Sequence, residues 1–279
     1  QYIESFTSSL SHGVIISFKD NRSNSNDIYM QQVDWAGNLM MSDDGMLVAD
    51  AQDDQESSSL DLSDSTNKLM ICWEDFRLGT EYDIYCKYYD FDESTLSDEI
   101  ALANQENTPL DSNQTSPFVL STQTGTFLIV WEDNRNGTGV YTDIYFQEMS
   151  HCDSFLEDGG DLLCDADFDQ LNPQIDIYNE SSNSYVIYWD DLRSSGKEFL
   201  NNIFAQSYTS SGDASCNDLL LGDINFDGLI NILDVVTLVN SIVGGQQLEG
   251  DAFVAADVTG DGLVNILDVV TVVNQIVSN

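Results

Sequence analysis

One five-residue pattern recurs four times in the chain and constrains its fold more than any other feature. Trp73-Glu74-Asp75-Phe76-Arg77, Trp131-Glu132-Asp133-Asn134-Arg135 and Trp189-Asp190-Asp191-Leu192-Arg193 share one form, and Phe18-Lys19-Asp20-Asn21-Arg22 is a weaker copy. Each copy follows an apolar run (VIISF, LMICW, FLIVW, YVIYW) and precedes a polar turn. The turn leads to Asp27-Ile28-Tyr29, Asp83-Ile84-Tyr85, Asp143-Ile144-Tyr145 or, in the last copy, Asn202-Ile203-Phe204. A Gln opens each unit (Gln1, Gln55, Gln114, Gln170), and a less regular apolar stretch (NLMM, EIAL, DLLC, DLLL) completes it. Short alternating segments bounded by turns, four to a unit, are the pattern of propeller blades.

The expected fold is therefore mostly β: four repeated four-stranded antiparallel sheets, β-propeller-like and four-bladed, over residues 1–221. The repeats run about 1–54, 55–113, 114–169 and 170–221. An open array of sheets, or a ring completed by another chain, remains an alternative. Pairing the hairpins so that Trp73 faces Tyr85 also sets Trp131 against Tyr145 and Trp189 against Phe204, aromatic cross-strand pairs that strengthen a ladder. The same register carries Arg77 over the turn toward Asp83. An Arg fork binds a carboxylate through two hydrogen bonds, which Lys cannot copy. Arg22, Arg77, Arg135 and Arg193, with Trp73, Trp131, Trp189, Asp27, Asp83 and Asp143, are thus read as structural staples. The rival reading is catalysis by the paired acids Glu74/Asp75, Glu132/Asp133 and Asp190/Asp191. A catalytic site is normally single, whereas this constellation repeats.

Only eight Lys and Arg stand against 49 Asp and Glu, a formal charge of −41. That excludes nucleic acid as a partner, since phosphate binding needs clustered basic residues. No apolar run reaches the length of a membrane span. A chain that opens at Gln1 without a basic-then-apolar leader is expected to have lost any signal peptide. Cys72 and Cys86 fall opposite each other in the second hairpin, and Cys152 and Cys164 bracket an acidic loop. Two disulfides with Cys216 unpaired would suit an oxidising, extracellular setting.

From Gly222 the texture changes. GDINFDGLINILDVVTLVNSIVGG and ADVTGDGLVNILDVVTVVNQIVSN repeat one pattern, each opening D-x-[N/T]-x-D-G with Asp at loop position twelve. Ca²⁺ wants six to eight oxygens, and the glycine at position six permits the sharp turn that gathers them. The first loop offers Asp223, Asn225, Asp227, the Leu229 carbonyl, Asn231 and Asp234. The second offers Asp257, Thr259, Asp261, the Leu263 carbonyl, Asn265 and Asp268, giving two calcium ions in all. Apolar residues then recur at helical spacing after each loop. A looser acidic run, Asp165, Asp167, Asp169 and Asp176, lacks the needed glycine and reads as an acidic turn.

Residues 222–279 closely resemble a type I dockerin, the duplicated calcium loop–helix module that docks onto cohesin domains. The resemblance implies a small α-helical domain and extracellular, calcium-dependent attachment to a cohesin-like partner or another copy of the chain. One departure is that loop positions ten and eleven, often Ser-Thr-like, are Ile232-Leu233 and Ile266-Leu267 here. The repeats loosely resemble the W-x-D-x-R…D-I-Y repeats of secreted bacterial proteins, a resemblance that carries no activity. Together these features favour a secreted, non-enzymatic, calcium-dependent surface or assembly protein, with head-to-tail self-assembly into a filament as one version and docking to a foreign partner as the other. The competing expectation is a carbohydrate-binding or glycan-degrading component, with Trp35, outside the repeated motif, as the residue for glycan contact.

Overall fold

A computed structural model describes residues 1–77, 79–103, 112–135, 141–150, 159–193 and 202–210. In the C-terminal part it describes 222, 224, 230–244, 248, 251–256, 258–259 and 263–278. The chain divides into two compact units, Gln1–Ala214 and Ser215–Asn279.

The first unit consists of four antiparallel sheets in chain order. The first holds β1 (Tyr2–Ser9), β2 (Gly13–Asp20), β3 (Asp27–Val33) and β4 (Met46–Ala49). The second holds β5 (Gln55–Ser63), β6 (Lys68–Asp75) and β7 (Asp83–Asp90), with β8 (Thr95–Leu96) and β9 (Ile100–Ala103) both paired to β7. The third holds β10 (Gln114–Ser121), β11 (Phe127–Asp133), β12 (Asp143–Met149) and β13 (Asp161–Cys164). The fourth shows β14 (Gln170–Asn179), β15 (Ser184–Asp191) and β16 (Asn202–Thr209). Its expected last strand, DLLL, lies outside the described residues. In the first sheet NLMM is not the closing strand. Leu39 makes only an isolated bridge to Val33, and MLVA forms β4 instead.

The hairpin register is the one that opposes aromatic residues: Trp73 to Tyr85, Trp131 to Tyr145, Trp189 to Phe204 and Phe18 to Tyr29. Cys72 and Cys86 face each other one step along and form a fully buried disulfide. Successive sheets then pack face to face. The Trp73 side of the second sheet lies on Ile28, Met30 and Val48 of the first. The Trp131 side of the third lies on Met70, Cys72 and Ile84 of the second, and the Trp189 side of the fourth lies on Leu128, Val130 and Ile144 of the third. At each of these three joints the aromatic face of one sheet thus lies on the opposite face of its predecessor, where Ile28, Ile84 or Ile144 is buried.

In the second unit, α1 (Ile232–Gly244) and α3 (Ile266–Ser278) are separated by the short α2 (Asp251–Ala256). Leu238 from α1 and Val269 and Val272 from α3 form its buried core with Ile224 and Ala256. Among the described residues no helix is long and apolar enough to cross a membrane.

The turn between β1 and β2 depends on Gly13, whose φ is +78° and where a Cβ would lie 2.2 Å from the Val33 carbonyl oxygen. Gly37 has a similar φ of +86° but open space around it. Gly13→Ala is expected to lower unfolding stability in urea by about 2–4 kcal/mol, as steric and left-handed costs add. Gly37→Ala, bearing only the left-handed cost, is expected to lose about 1 kcal/mol. Equal losses would contradict this packing of the turn.

Candidate functional site

The repeated motif places one carboxylate at the end of each second strand, at a point that water does not reach. Asp75, Asp133 and Asp191 are fully buried. Burying a carboxylate costs several kcal/mol unless donors surround it, and here they do. The indole Nε1–H groups of Trp73, Trp131 and Trp189 donate to these aspartates at 3.0, 3.1 and 3.1 Å. The backbone N–H groups of Arg77, Arg135 and Arg193 donate at 2.9, 2.8 and 2.9 Å. The same arginines' Nε–H groups donate at 2.8, 2.7 and 2.9 Å. Their terminal nitrogens close ion pairs at 2.6, 2.5 and 2.5 Å.

Each guanidinium also lies over the cross-strand aromatic: Arg77 on Tyr85 at 3.8 Å, Arg135 on Tyr145 at 4.2 Å and Arg193 on Phe204 at 4.0 Å. In the first sheet Phe18 offers no indole donor. Gln1 Nε2 supplies that bond to Asp20 at 2.7 Å, beside Arg22, which lies over Tyr29 at 4.1 Å. Burial pushes the Asp191 carboxyl up, but the bonds from Arg193 and Trp189 more than offset it, leaving it below its ordinary value.

The arginines therefore grip the aspartate two residues upstream, not the aspartate of Asp-Ile-Tyr. Chain geometry explains the difference. The Arg backbone N–H is already bonded to that upstream carboxylate, so the side chain needs only to fold back. The Asp-Ile-Tyr aspartates have separate roles. Asp27 accepts from the hydroxyls of Ser23 and Ser25 in its own turn, and Asp143 is buried. Asp83 is fully buried with neither carboxylate oxygen hydrogen-bonded. Burial and the neighbouring Asp75 push its pKa up to about 7.

The glutamates of the motif serve the joints between sheets. Glu74 Oε1 accepts the Ser116 N–H at 2.7 Å and Glu132 Oε1 the Asn172 N–H at 2.8 Å, each from the next sheet. Glu4 in the first sheet receives the Ser57 and Ser58 N–H groups of the second at 2.9 and 2.8 Å. Ser57, Ser116 and Asn172 adopt φ near +55°, +56° and +53° within register shifts of β5, β10 and β14. A β-bulge turns an N–H out of the ladder, and the preceding sheet's acid takes it. Glu74 and Glu132 are thus occupied as joints and Asp75, Asp133 and Asp191 as clamps, while Asp190, among the described residues, accepts only from Asn172 of its own sheet at 3.0 Å. Sequence reasoning missed this use. Its signal was the Ser-Ser, Ser-Pro or Asn-Pro pair two and three residues after Gln55, Gln114 and Gln170.

Outside the motif, Trp35 is 62% exposed, yet its Nε1–H donates to the carbonyls of Ser9 and Leu10, both at 3.2 Å. Asp34 fixes the same turn by accepting from Ala36 N, Asn38 N and Asn38 Nδ2 at 2.9, 2.8 and 2.8 Å. The result is an aromatic face held in one orientation toward solvent. Cys164, one half of the expected second disulfide, stands as a thiol 3.1 Å from the Arg193 guanidinium. Cys152 and Cys216 lie outside the described residues. The run Asp165, Asp167, Asp169 and Asp176 does not converge. Asp169 accepts the Thr142 N–H at 3.0 Å, and the described residues contain no group of three acids, cysteines or histidines placed for a metal.

In the second unit the loop-closing acids are fully buried. Asp234 accepts the Ile224 and Asn231 N–H groups at 2.9 and 2.8 Å. Asp268 accepts Thr259 N, Thr259 Oγ1 and Asn265 N at 3.1, 2.9 and 2.8 Å. Asn231 and Asn265 cap their helices, each Oδ1 accepting the N–H two residues on (Leu233 and Leu267) at 2.8 and 2.9 Å. Asn265 Nδ2 also donates to the Leu263 carbonyl at 3.1 Å. Asp223, Asn225, Asp227, Leu229, Asp257 and Asp261 lie outside the described residues. No Lys or Arg follows Lys197, so no basic side chain of this unit balances the buried acids. An all-oxygen donor set of this kind fits a hard cation.

Residues 221–277 match the family model of the dockerin type I domain, a calcium-binding module. No curated protein matches the chain. The chain is similar in fold to the Hadza microbial sialidase Hz136, with 11% identity and a TM-score of 0.49. That match covers 74% of this chain and 44% of the sialidase, so the chain spans less than half of that enzyme. It is also similar to the endo-arabinase from Bacteroides thetaiotaomicron VPI-5482, with 13% identity, TM-score 0.43, and 74% and 75% of the two chains covered. A third is the Penicillium chrysogenum α-L-arabinanase complexed with arabinobiose, with 11% identity, TM-score 0.44, and 77% and 64% covered. These likenesses to glycan-cleaving enzymes correct the expectation of a non-enzymatic, filament-forming scaffold, and that reading is withdrawn.

Burial pushes the Glu74 carboxyl up to about 7, with the Ser116 N–H and Ser57 hydroxyl pulling the other way. The folded state therefore holds this proton to higher pH than the unfolded chain. Its stabilisation is full below the ordinary value of 4.5 and is lost as pH rises through about 7. Asp83 acts with the same sign. Glu74→Gln keeps the acceptor and removes the ionisation. The drop in urea midpoint between pH 5 and pH 8, with calcium present, is expected to be smaller than in the wild type. An undiminished drop would contradict a buried, protonatable Glu74.

Proposed function

We propose that this protein is a glycan-degrading component of an extracellular assembly, tethered by its C-terminal dockerin to a cohesin-like partner. The observation that carries the reading is the dockerin match over residues 221–277, joined to a large unit of stacked sheets. A dockerin supplies attachment and no chemistry, so the sheets are the part that meets the substrate. The buried Cys72–Cys86 disulfide suits an oxidising compartment outside the cell.

In this reading each loop holds one calcium ion. Asp223, Asn225, Asp227, Leu229 (through its carbonyl), Asn231 and Asp234 would hold the first. Asp257, Thr259, Asp261, Leu263 (through its carbonyl), Asn265 and Asp268 would hold the second. Bound calcium supplies the positive charge that the buried carboxylates lack. Asp234 and Asp268 then couple the metal to the fold, since each also holds its loop's backbone to the start of a helix. Along the helices Ile232, Leu233, Ile266 and Leu267 are all more than half exposed. They would give a partner an apolar contact where related modules often carry hydroxyls.

The sheet unit's glycan contact is placed at Trp35. Its indole N–H is satisfied by backbone carbonyls, so the exposed ring is free to stack on the C–H face of a sugar at low entropic cost. Several charged and polar groups lie in the same turn, but Asp34 and Asn38 are already committed to each other.

Calorimetric titration is expected to give two calcium equivalents for the wild type and one for Asp268→Asn. Capture on immobilised cohesins should require calcium and disappear in EDTA. Reducing-sugar release from a panel of plant and host polysaccharides should be detectable, and Trp35→Ala should lower retention on the active substrate about tenfold. Calcium-independent capture would sink the tether. An absence of both hydrolysis and glycan retention across the panel would sink the glycan reading.

A further inference from the structure

The repeat makes it clear what each sheet face should touch, and among the described residues two faces lack that neighbour. Register aligns Phe6, Leu60, Val119 and Ile175, which pair with Ile16, Ile71, Ile129 and Ile187 in their sheets. Leu60, Val119 and Ile175 are 4%, 3% and 4% exposed beneath the preceding sheet, whereas Phe6 is 70% exposed. On the opposite faces Ile28, Ile84 and Ile144 are each 0% exposed beneath the following sheet, whereas Ile203 is 76% exposed.

Phe6 on the aromatic face of the first sheet and Ile203 on the opposite face of the fourth are thus both exposed, although Phe18 beside Phe6 is buried. These faces are the two that meet at every internal joint. The first sheet's aromatic face is also indented. A cavity of about 350 Å³ lies there, lined by Ile3, Ile16, Phe18 and Leu39 with Gln1 and Asp43 among the residues at its rim.

We propose that a second copy of this chain covers these faces. The fourth sheet's Ile203 face of one copy would lie on the first sheet's aromatic face of its partner, with Ile203 set against Phe6. This continues the joint already made three times within the chain. A contact of this kind pairs two different surfaces, and it closes if the rotation permits. Two copies give eight sheets, within the range of four to eight blades found in rings of this kind, whereas three copies would exceed it. A closed pair leaves neither apolar face open and stops further growth. The inference does not rest on the glycan reading.

The test is sedimentation velocity of the full chain in calcium buffer, across about 1–100 μM. The expected species is twice the 31.0 kDa chain mass, with nothing larger. Phe6→Lys and Ile203→Lys alter exposed side chains and should each leave the circular dichroism spectrum unchanged while giving monomers. Mixing the two variants should restore a dimer, since one intact joint remains between the unaltered Ile203 face and the unaltered Phe6 face. A wild-type monomer at all concentrations would overturn the proposal. So would open-ended polymers, or a dimer indifferent to both substitutions.

Discussion

Within the first unit, everything is arranged around a carboxylate that water cannot reach. Asp75, Asp133 and Asp191 are fully buried at the mouths of their hairpins. A bare charge there would be untenable. The Trp indole N–H, the Arg backbone N–H and the Arg guanidinium satisfy it together. Because the guanidinium also lies on the facing Tyr or Phe ring, the clamp fixes which residues oppose each other across the two strands. Register follows from electrostatics as much as from apolar burial. A one-residue slip would put every side chain on the wrong face. The scarcity of basic residues in so acidic a chain makes sense on these terms, since every arginine is assigned to a clamp.

From register comes stacking. With the Trp side of each hairpin fixed, the aromatic face of one sheet lies on the opposite face of its predecessor at each of the three joints. The bulge N–H groups of Ser57, Ser116 and Asn172 then meet Glu4, Glu74 and Glu132 across the joints. Burial of Glu74 makes the joint it forms sensitive to pH, so the second and third sheets are coupled by a proton as well as by packing. The C-terminal unit solves the same problem differently. It has no basic side chain, and its buried Asp234 and Asp268 lie in a module whose family binds calcium.

The parts of this structure that repeat were legible in the sequence, because repetition reports register. The Trp–Tyr pairs and the opposed Cys72 and Cys86 follow from alternation of period two. The Arg partners were misread because strand register alone makes the aspartate across the hairpin look as reachable as the one two residues back. Only the turn's backbone, which points the Arg N–H at the upstream carboxylate, decides between them. The sheet joints were hidden because a bulge is a backbone event, marked by nothing more than Ser-Ser, Ser-Pro or Asn-Pro. In the C-terminal unit the loop spacing pointed to calcium. It did not reveal that Asn231 and Asn265 cap the helices.

The clamp can be measured directly by a double-mutant cycle between Asp133 and Arg135, using Asp133→Asn, Arg135→Gln and the pair, by urea unfolding in calcium buffer. A buried, charge-assisted ion pair predicts a coupling energy of about 2–4 kcal/mol and a single cooperative transition. A coupling within about 0.5 kcal/mol of zero, the value for independent sites, would contradict the account.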